Sequence, residues 1–327
     1  MSVSAHESVM VHEVVEALNP VAGGVYVDAT FGAGGHARAI LESADCSLIG
    51  IDRDPDVIEQ GLSLFTDYKG RVRLVQGCFG DLCELLQEHQ VMQVDGITFD
   101  IGVSSMQLDQ SERGFSFLRD GPLDMRMSKS GLSAADVVNR LGEEELAQVI
   151  AVYGEEKRAK LIARAIITAR MRRPLERTGE LADVVCSVAK GREHHPATKT
   201  FQALRILVNN ELGELERGLV AAEQILKPGG RLAIIAFHSL EDRVVKKFLQ
   251  ARCKKASGSG VSRHRPAPTS VHEDRVPSFR LLFSRPRRPG KDECVRNRRS
   301  RSARLRAAER TSAEPFPSDI SNVKVSA

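Results

Sequence analysis

The sequence predicts an α/β fold: an open, parallel sheet wound with helices and split by a helical insertion. Three observations predict it. Residues Gly24-Val-Tyr-Val-Asp28-Ala-Thr-Phe-Gly32-Ala-Gly34-Gly35-His36 read as a buried strand, a glycine turn and the start of a helix. Further strand-like and helix-like runs alternate to about residue 106. The alternation then stops until about residue 197, after which another long apolar strand follows.

The glycine turn is the first β-loop-α of such a sheet, where a ligand lies across the strand ends. Glycine suits a backbone that a ligand must approach closely or that needs positive φ. Gly32-x-Gly34-x-x-Ala37 also fits the dinucleotide fingerprint. A dinucleotide, however, sets a pyrophosphate against that turn, where a carboxylate is unhelpful. S-adenosylmethionine (SAM) has no phosphate and carries a sulfonium and an ammonium. Asp28 at the strand end suits such a cation, and Asp28-Ala-Thr-Phe-Gly32-Ala-Gly34 has the acid-x-Gly-x-Gly-x-Gly outline of SAM sites, with Thr30 at the first glycine.

In chain order, His6 to Val15 form a short amphipathic helix or arm that ends at Asn19-Pro20. A helix over 35–43 leads to a second strand, Ser47 to Asp52, whose terminal acid lies 24 residues beyond Asp28. An acid there can accept hydrogen bonds from both ribose hydroxyls of an adenosine. Asp54-Pro55 caps the next helix. A third strand, Arg71 to Gln76, runs into Gly77-Cys78-Phe79-Gly80, a region that flanks the adenine in such sheets, so Phe79 is a candidate cover for the base. The fourth strand, Gly96 to Asp100, ends in another acid. Asp28, Asp52 and Asp100 therefore share one rim, which would repel a phosphorylated cofactor.

Ser133-Ala-Ala-Asp136 has the spacing of a capping box, and helices follow near 134–140, 143–152, 155–172 and 178–190. One of them is basic, with Arg158, Lys160, Arg164, Arg170, Arg172 and Arg173. A long helix is expected from His195 to about 226, then a turn and an apolar fifth strand to Phe237. His238-Ser239 follow at its carboxyl end. Residues 252–275 read as a loop, and Phe279–Phe283 and Ala303–Ala307 as the last strands, the latter with apolar residues alternating with Arg304 and Arg306. The expected domains are 1–106 and 198–310 for SAM binding, 107–197 as a helical insertion for substrate recognition, and 311–327 as a disordered tail.

Composition narrows the function. The 327 residues are 42% hydrophobic, enough for a substantial core. No run approaches the roughly 18 apolar residues of a membrane span, and no secretory signal pattern opens the chain. Six scattered cysteines without a CxxC pair point to reduced thiols and a cytoplasmic location, and the histidines form no metal spacing with them, so no metal is expected. Residues 285–310 hold eleven Lys/Arg and three acids, a net of +8, on a chain of net charge +4. A basic end on a slightly acidic body suits a polyanionic partner.

Asp28-Ala-Thr-Phe-Gly-Ala-Gly-Gly-His36, Gly50-Ile-Asp-Arg-Asp-Pro55, Asp100-Ile-Gly-Val-Ser-Ser105, Arg113-Gly-Phe-Ser-Phe117, Asp120-Gly-Pro-Leu-Asp-Met-Arg126, His195-Pro-Ala-Thr-Lys-Thr-Phe-Gln202, Phe237-His-Ser-Leu-Glu-Asp-Arg243 and Arg299-Ser-Arg-Ser-Ala-Arg-Leu-Arg306 together resemble the bacterial 16S rRNA cytosine-N4 methyltransferases, the MraW family. The resemblance runs from about His6 to Arg310. Ala236, Met106 and Arg298 depart from the family's usual Ser, Pro and Pro. The resemblance implies a class I SAM-methyltransferase Rossmann-like sheet with an inserted helical domain. It implies SAM as cofactor and small-subunit 16S rRNA as partner, with methylation of the exocyclic amine of a decoding-centre cytidine. It assigns SAM contacts to Gly34, Gly35, His36, Asp52, Phe79, Asp100 and Gln107.

The chemistry narrows the catalytic candidates. Cytosine's amine lone pair is delocalised into the ring, so an acceptor for an amine hydrogen helps. Asp100, His238 and Ser239 are the candidates, and His238 has an alternative role as a structural turn residue. Methylation at carbon-5 would need an activated cysteine on the rim, and neither Asp100–Asp109 nor Phe237–Arg243 contains one. Two rivals stand beside this reading: a SAM-binding ribosome assembly factor without catalysis, and an NAD-dependent oxidoreductase, which the acidic rim opposes.

Overall fold

The structure is a computed structural model that describes residues 8–68, 70–190, 195–253 and 275–317. The start of the expected N-terminal arm, nearly all of the 252–275 loop and the tail from 318 lie outside the described residues. In chain order the elements begin α1 (Val11–Leu18), β1 (Val25–Asp28), α2 (Gly35–Ser43), β2 (Ser47–Asp52), α3 (Pro55–Leu64), β3 (Val72–Gln76), α4 (Leu82–Glu88) and β4 (Val94–Asp100). Six helices follow: α5 (Ser105–Asp109), α6 (Ala134–Arg140), α7 (Glu143–Gly154), α8 (Ala159–Arg170), α9 (Thr178–Val188) and α10 (Thr198–Asn209). The chain continues with α11 (Glu211–Ile225), β5 (Leu226–Ala236), α12 (Ser239–Cys253), β6 (Phe279–Leu281), α13 (Lys291–Arg296) and β7 (Arg304–Arg310).

The chain divides into two compact units. The first holds the sheet, with described residues 8–52, 56–68, 70–101, 215–253 and 275–317; the second holds described residues 53–55, 102–190 and 195–214. The divisions fall after Ile101 and, within α11, after Glu214.

In the sheet unit the strand order is β3-β2-β1-β4-β5-β7-β6. Strands β1 to β5 pair in parallel, and β7 runs antiparallel between β5 and β6. This is the expected Rossmann-like class I arrangement. The order reverses at β1 and β4, the switch point where open α/β sheets take ligands. Register then sets the site: Asp28 pairs with Gly50 and Thr98, Asp52 with Gln76, and Asp100 with Ile235. The carboxyl ends of β1, β2, β4 and β5 thus meet on one rim. The strands stay parallel because both faces are apolar and covered: Val27, Ile97, Leu232 and Ile234 are fully buried with Leu82, Leu86, Leu215 and Leu219 from the helices. β7 keeps the period of two over its first four residues, with Leu305 and Ala307 buried and Arg304 and Arg306 half-buried, and loses it at Ala308, which is buried as well.

The second unit packs its own core from Leu146, Ile150, Ile162, Ile166, Leu181 and Leu204. α6 opens with the expected capping box, the Asp136 N–H donating to Ser133 Oγ at 3.1 Å and the Ser133 N–H to Asp136 Oδ2 at 3.0 Å. The expected long helix from His195 is two helices. Asn210 interrupts it at φ 48°, a left-handed conformation that asparagine tolerates. Asn209 fixes the break: its side chain donates to Met125 O at 2.7 Å and accepts from Met127 N at 2.9 Å.

Two further expectations are corrected. The turn Lys227-Pro-Gly-Gly230 does not precede β5 but bulges within it, between the pairs Val94–Leu226 and Gly96–Arg231. Residues 311–317, expected in a disordered tail, are packed: Phe316 is buried, its ring lies 5.3 Å from the Arg252 guanidinium and its N–H donates to Glu223. Glu223 is fully buried and also bonds Arg252 and Ser278, so the segment is held by satisfying a buried charge. No described helix is long and apolar enough to cross a membrane.

Candidate active site

The site begins where β1 runs into the glycine turn. Asp28 is completely buried; its Oδ1 accepts the Thr30 N–H at 3.3 Å, while Oδ2 has no hydrogen-bond partner among the described residues. Burial pushes the Asp28 pKa up, against the pull of His36 and the N–H groups of Thr30 and Ala37. Gly34 sits at φ 75°, and a side chain there would meet the Phe65 ring at 2.5 Å. At Gly35 a side chain would collide with the Ser8 hydroxyl. Both glycines are therefore required by the fold of the turn before any ligand is considered.

His36, in the first turn of α2, is buried and holds its Nε2 2.9 Å from the Val9 carbonyl. A carbonyl only accepts, so the proton is on Nε2. Its Nδ1 faces Asp100 Oδ2 at 3.8 Å, beyond hydrogen-bond range. The Asp100 N–H donates to Thr30 Oγ1 at 2.6 Å, which ties the end of β4 to the turn. Asp100 Oδ1 is buried without a hydrogen-bond partner among the described residues, although the side chain keeps 23% of its surface exposed. Its pKa is pushed up to about 6 by burial, opposed by His36 and reinforced by Asp28 and Glu241.

The end of β2 is tied to the same turn: Gly32 donates its N–H to Asp52 Oδ2 at 2.9 Å. A carboxylate has about four acceptor positions, so Asp52 can accept more than one hydrogen bond. Phe79, in a 3-10 turn, packs edge-on against Phe99 with centroids 5.4 Å apart at 75°. Gly218 of α11 makes room, since a side chain there would come within 2.8 Å of the Phe79 ring.

At the end of β5, His238 and Glu241 form a reciprocal cap on α12. The Glu241 N–H donates to His238 Nδ1 at 3.3 Å, and Glu241 Oε2 accepts from Phe237 N at 2.7 Å and His238 N at 3.1 Å. This is the geometry of a capping box with histidine in the serine position. Glu241 Oε1 lies 2.9 Å from His238 Nε2 but is misaligned for a hydrogen bond with it. His238 thus has a structural role at Nδ1, while Ser239 is exposed at the first position of α12.

Gln107 belongs to the second unit. Its Oε1 accepts the Ser104 N–H at 3.1 Å, capping α5, and its Nε2 donates to Asp54 Oδ2 at 2.9 Å. Arg113 Nη1 reaches the same oxygen at 2.7 Å, and its Nη2 donates to the carbonyls of Arg126 and Met127. Both ends of the Gln107 amide therefore fix the loop around it, in a buried network that the sequence reading missed. It also missed Thr30 as a clasp and Glu241 as a buried charge beside Asp100. The Glu241 signal was present in the His-x-x-Glu spacing, but histidine is not a residue that spacing usually advertises.

The sheet unit therefore gathers Gly34, Gly35, His36, Asp52, Asp100, His238 and Ser239 on or beside one rim. Asp28 Oδ2 and Asp100 Oδ1 are buried there without hydrogen bonds among the described residues. Burial raises the pKa of both, the Asp28 charge adds to the rise at Asp100, and a cation settling over them would favour their ionised forms. The donor set suits a positively charged ligand and opposes a pyrophosphate.

A profile of the MraW methylase family matches residues 3–311. The chain belongs to that family. Curated relatives agree along the whole length. Ribosomal RNA small subunit methyltransferase H of Parvibaculum lavamentivorans is 55% identical over 322 residues, covering 98% of this chain and 93% of that protein. The protein of the same name from Rhodospirillum rubrum is 51% identical over 313 residues, covering 95% of each. Among solved structures, a putative rRNA methylase from Clostridium thermocellum aligns over 94% of this chain and 99% of that one, at 11% identity and a TM-score of 0.43. As an MraW methylase the chain uses S-adenosylmethionine, whose sulfonium and ammonium match the rim's charge.

Proposed function

We propose that this methylase transfers the methyl group of SAM to the exocyclic N4 amine of a decoding-centre cytidine in 16S rRNA of the small ribosomal subunit, in the cytoplasm. The observation that carries the reading is the buried, unpartnered Oδ1 of Asp100 beside the glycine turn, on a rim whose other end is His238-Ser239. The names of the curated relatives support an rRNA substrate.

SAM supplies a methyl made electrophilic by the sulfonium. The chain supplies position and charge. Gly34, Gly35 and His36 shape the turn against which the cofactor lies, Asp52 accepts from the ribose, and Phe79 borders the adenine. Gln107 is the remaining SAM contact proposed from the family resemblance. Asp28 and Asp100 balance the positive charge. The cytosine has to leave its stack to reach the rim and must be held in line at about 3–3.5 Å from the methyl. Asp100, Ser239 or the main-chain carbonyl of His238 accepts an amine hydrogen, which restores density to the nitrogen lone pair; the His238 ring is committed, its Nδ1 accepting from the Glu241 N–H.

Direct attack by nitrogen needs no thiolate. Burial pushes both the Cys83 and Cys253 thiols up to about 11, the opposite of activation. The test is incubation with methyl-labelled SAM and small-subunit particles from cells lacking the enzyme. Label in 16S rRNA is expected; SAM binding without transfer to RNA would leave only a binding protein.

A further inference from the structure

Beside the carboxyl end of β5 lies a cleft of about 140 Å³, and its walls include His238, Ser239, Arg288, Arg301, Ser302 and Arg304. No acid lines it. Arg304 is already paired with Asp242 at 3.0 Å, and Arg306 binds the same carboxylate at 2.8 Å. Arg288 and Arg301 have no carboxylate partner among the described residues, although Arg301 donates to the Cys294 carbonyl at 3.3 Å. Two guanidiniums without a carboxylate partner among the described residues, two serine hydroxyls and the start of a 15-residue helix thus converge on one small space.

The backbone around the cleft is braced. Arg287 pairs with Leu305 as a β-bridge, and its side chain binds Glu16 at 2.6 Å, which fixes the chain next to Arg288. Asn297 caps the 3-10 turn Arg298–Ser302, and Ser300 is buried with its hydroxyl on the Asn297 carbonyl at 2.8 Å. Strand register brings the cleft close to the chemistry. Asp100 pairs with Ile235, two residues before Phe237 at the cleft wall, and neighbouring strands lie about 4.8 Å apart.

We propose that this cleft seats one backbone phosphate of the RNA, adjacent to the nucleotide whose base is presented at Asp100. The proposal rests on the RNA-methylating reading above and assigns it a specific anchor. Guanidinium forks match phosphate oxygens two at a time, and serine hydroxyls add donors. A phosphate held here would set the register of the strand, leaving the adjoining base to swing onto the rim.

The test compares wild type with Arg288→Gln/Arg301→Gln, using Lys246→Gln, an exposed charge elsewhere on α12, as a control. SAM affinity should be unchanged in all three. With RNA, the double variant should raise KM more than it lowers kcat. It should also flatten the slope of log affinity against log salt by roughly 0.7 per lost contact, as for a single strand. Inorganic phosphate, at ionic strength matched with chloride, should compete with RNA in the wild type and in Lys246→Gln but not in the double variant. A double variant with wild-type KM, salt slope and phosphate competition would overturn the proposal while leaving RNA methylation intact. A wild type that methylates no RNA would instead remove the reading beneath it, and the proposal with it.

Discussion

Asp100 carries a testable consequence at the scale of one residue. With its pKa near 6, it is neutral in acid and charged at neutral pH. The raised folded value means that ligand-free stability from this group is fully present below the ordinary carboxylate range and is lost as pH rises through about 6. Cation binding has the opposite preference, because SAM favours the ionised carboxylate. SAM affinity is therefore expected to rise with pH up to about 6, by at most about tenfold per unit, and then to level off. Asp100→Asn should bind more weakly and lose this dependence. Identical pH profiles for the two proteins in calorimetry would remove Asp100 from the cofactor's charge environment. Asp52→Ala should cost about 1.5–3 kcal/mol of SAM affinity, the worth of a charge-assisted hydrogen bond. A folded variant with unchanged affinity would take Asp52 out of the site.

At the scale of elements, much of the site was legible because strand ends announce themselves. Apolar runs ending in Asp28, Asp52 and Asp100 fix both the sheet and the rim, since parallel register places their carboxyl ends together. The interruptions were harder to read. Asn210 stops a helix whose apolar pattern continues through it, and only the buried bonds of Asn209 to Met125 and Met127 show why. The bulge at Lys227-Pro-Gly-Gly230 looks like a turn from composition alone. Phe316 is ordered by a buried glutamate far away in sequence, which no local pattern encodes. The His238–Glu241 cap belongs to the same class and makes a prediction. Glu241 raises the Asp100 pKa through its charge. Glu241→Gln can still accept from the N–H groups of Phe237 and His238, so α12 should stay capped. The pH midpoint for SAM binding should move below that of the wild type. A midpoint that stays put, or moves up, would break the electrostatic link between the ends of β4 and β5.

For the whole molecule, charge and thiol chemistry point to the same kind of reaction. The acidic rim suits a cation, and the basic segment 285–310, with a net charge of +8, suits a polyanion, so the proposed ligands of the methyl transfer call for opposite fields. The cysteines stand apart from this arrangement: Cys83 and Cys253 are held protonated by burial, and the turn at 237–243 contains none. Changing all six cysteines to Ser or Ala should leave methyl transfer intact in a protein that keeps its cooperative unfolding. The most direct measurement is nucleoside mass spectrometry of 16S rRNA after reaction with methyl-labelled SAM, run with wild type and with the cysteine-free variant. The expected result is label on the exocyclic N4 amine of one cytidine with both proteins. Label at carbon-5, or transfer abolished by loss of a single cysteine in a folded protein, would contradict direct methylation at nitrogen.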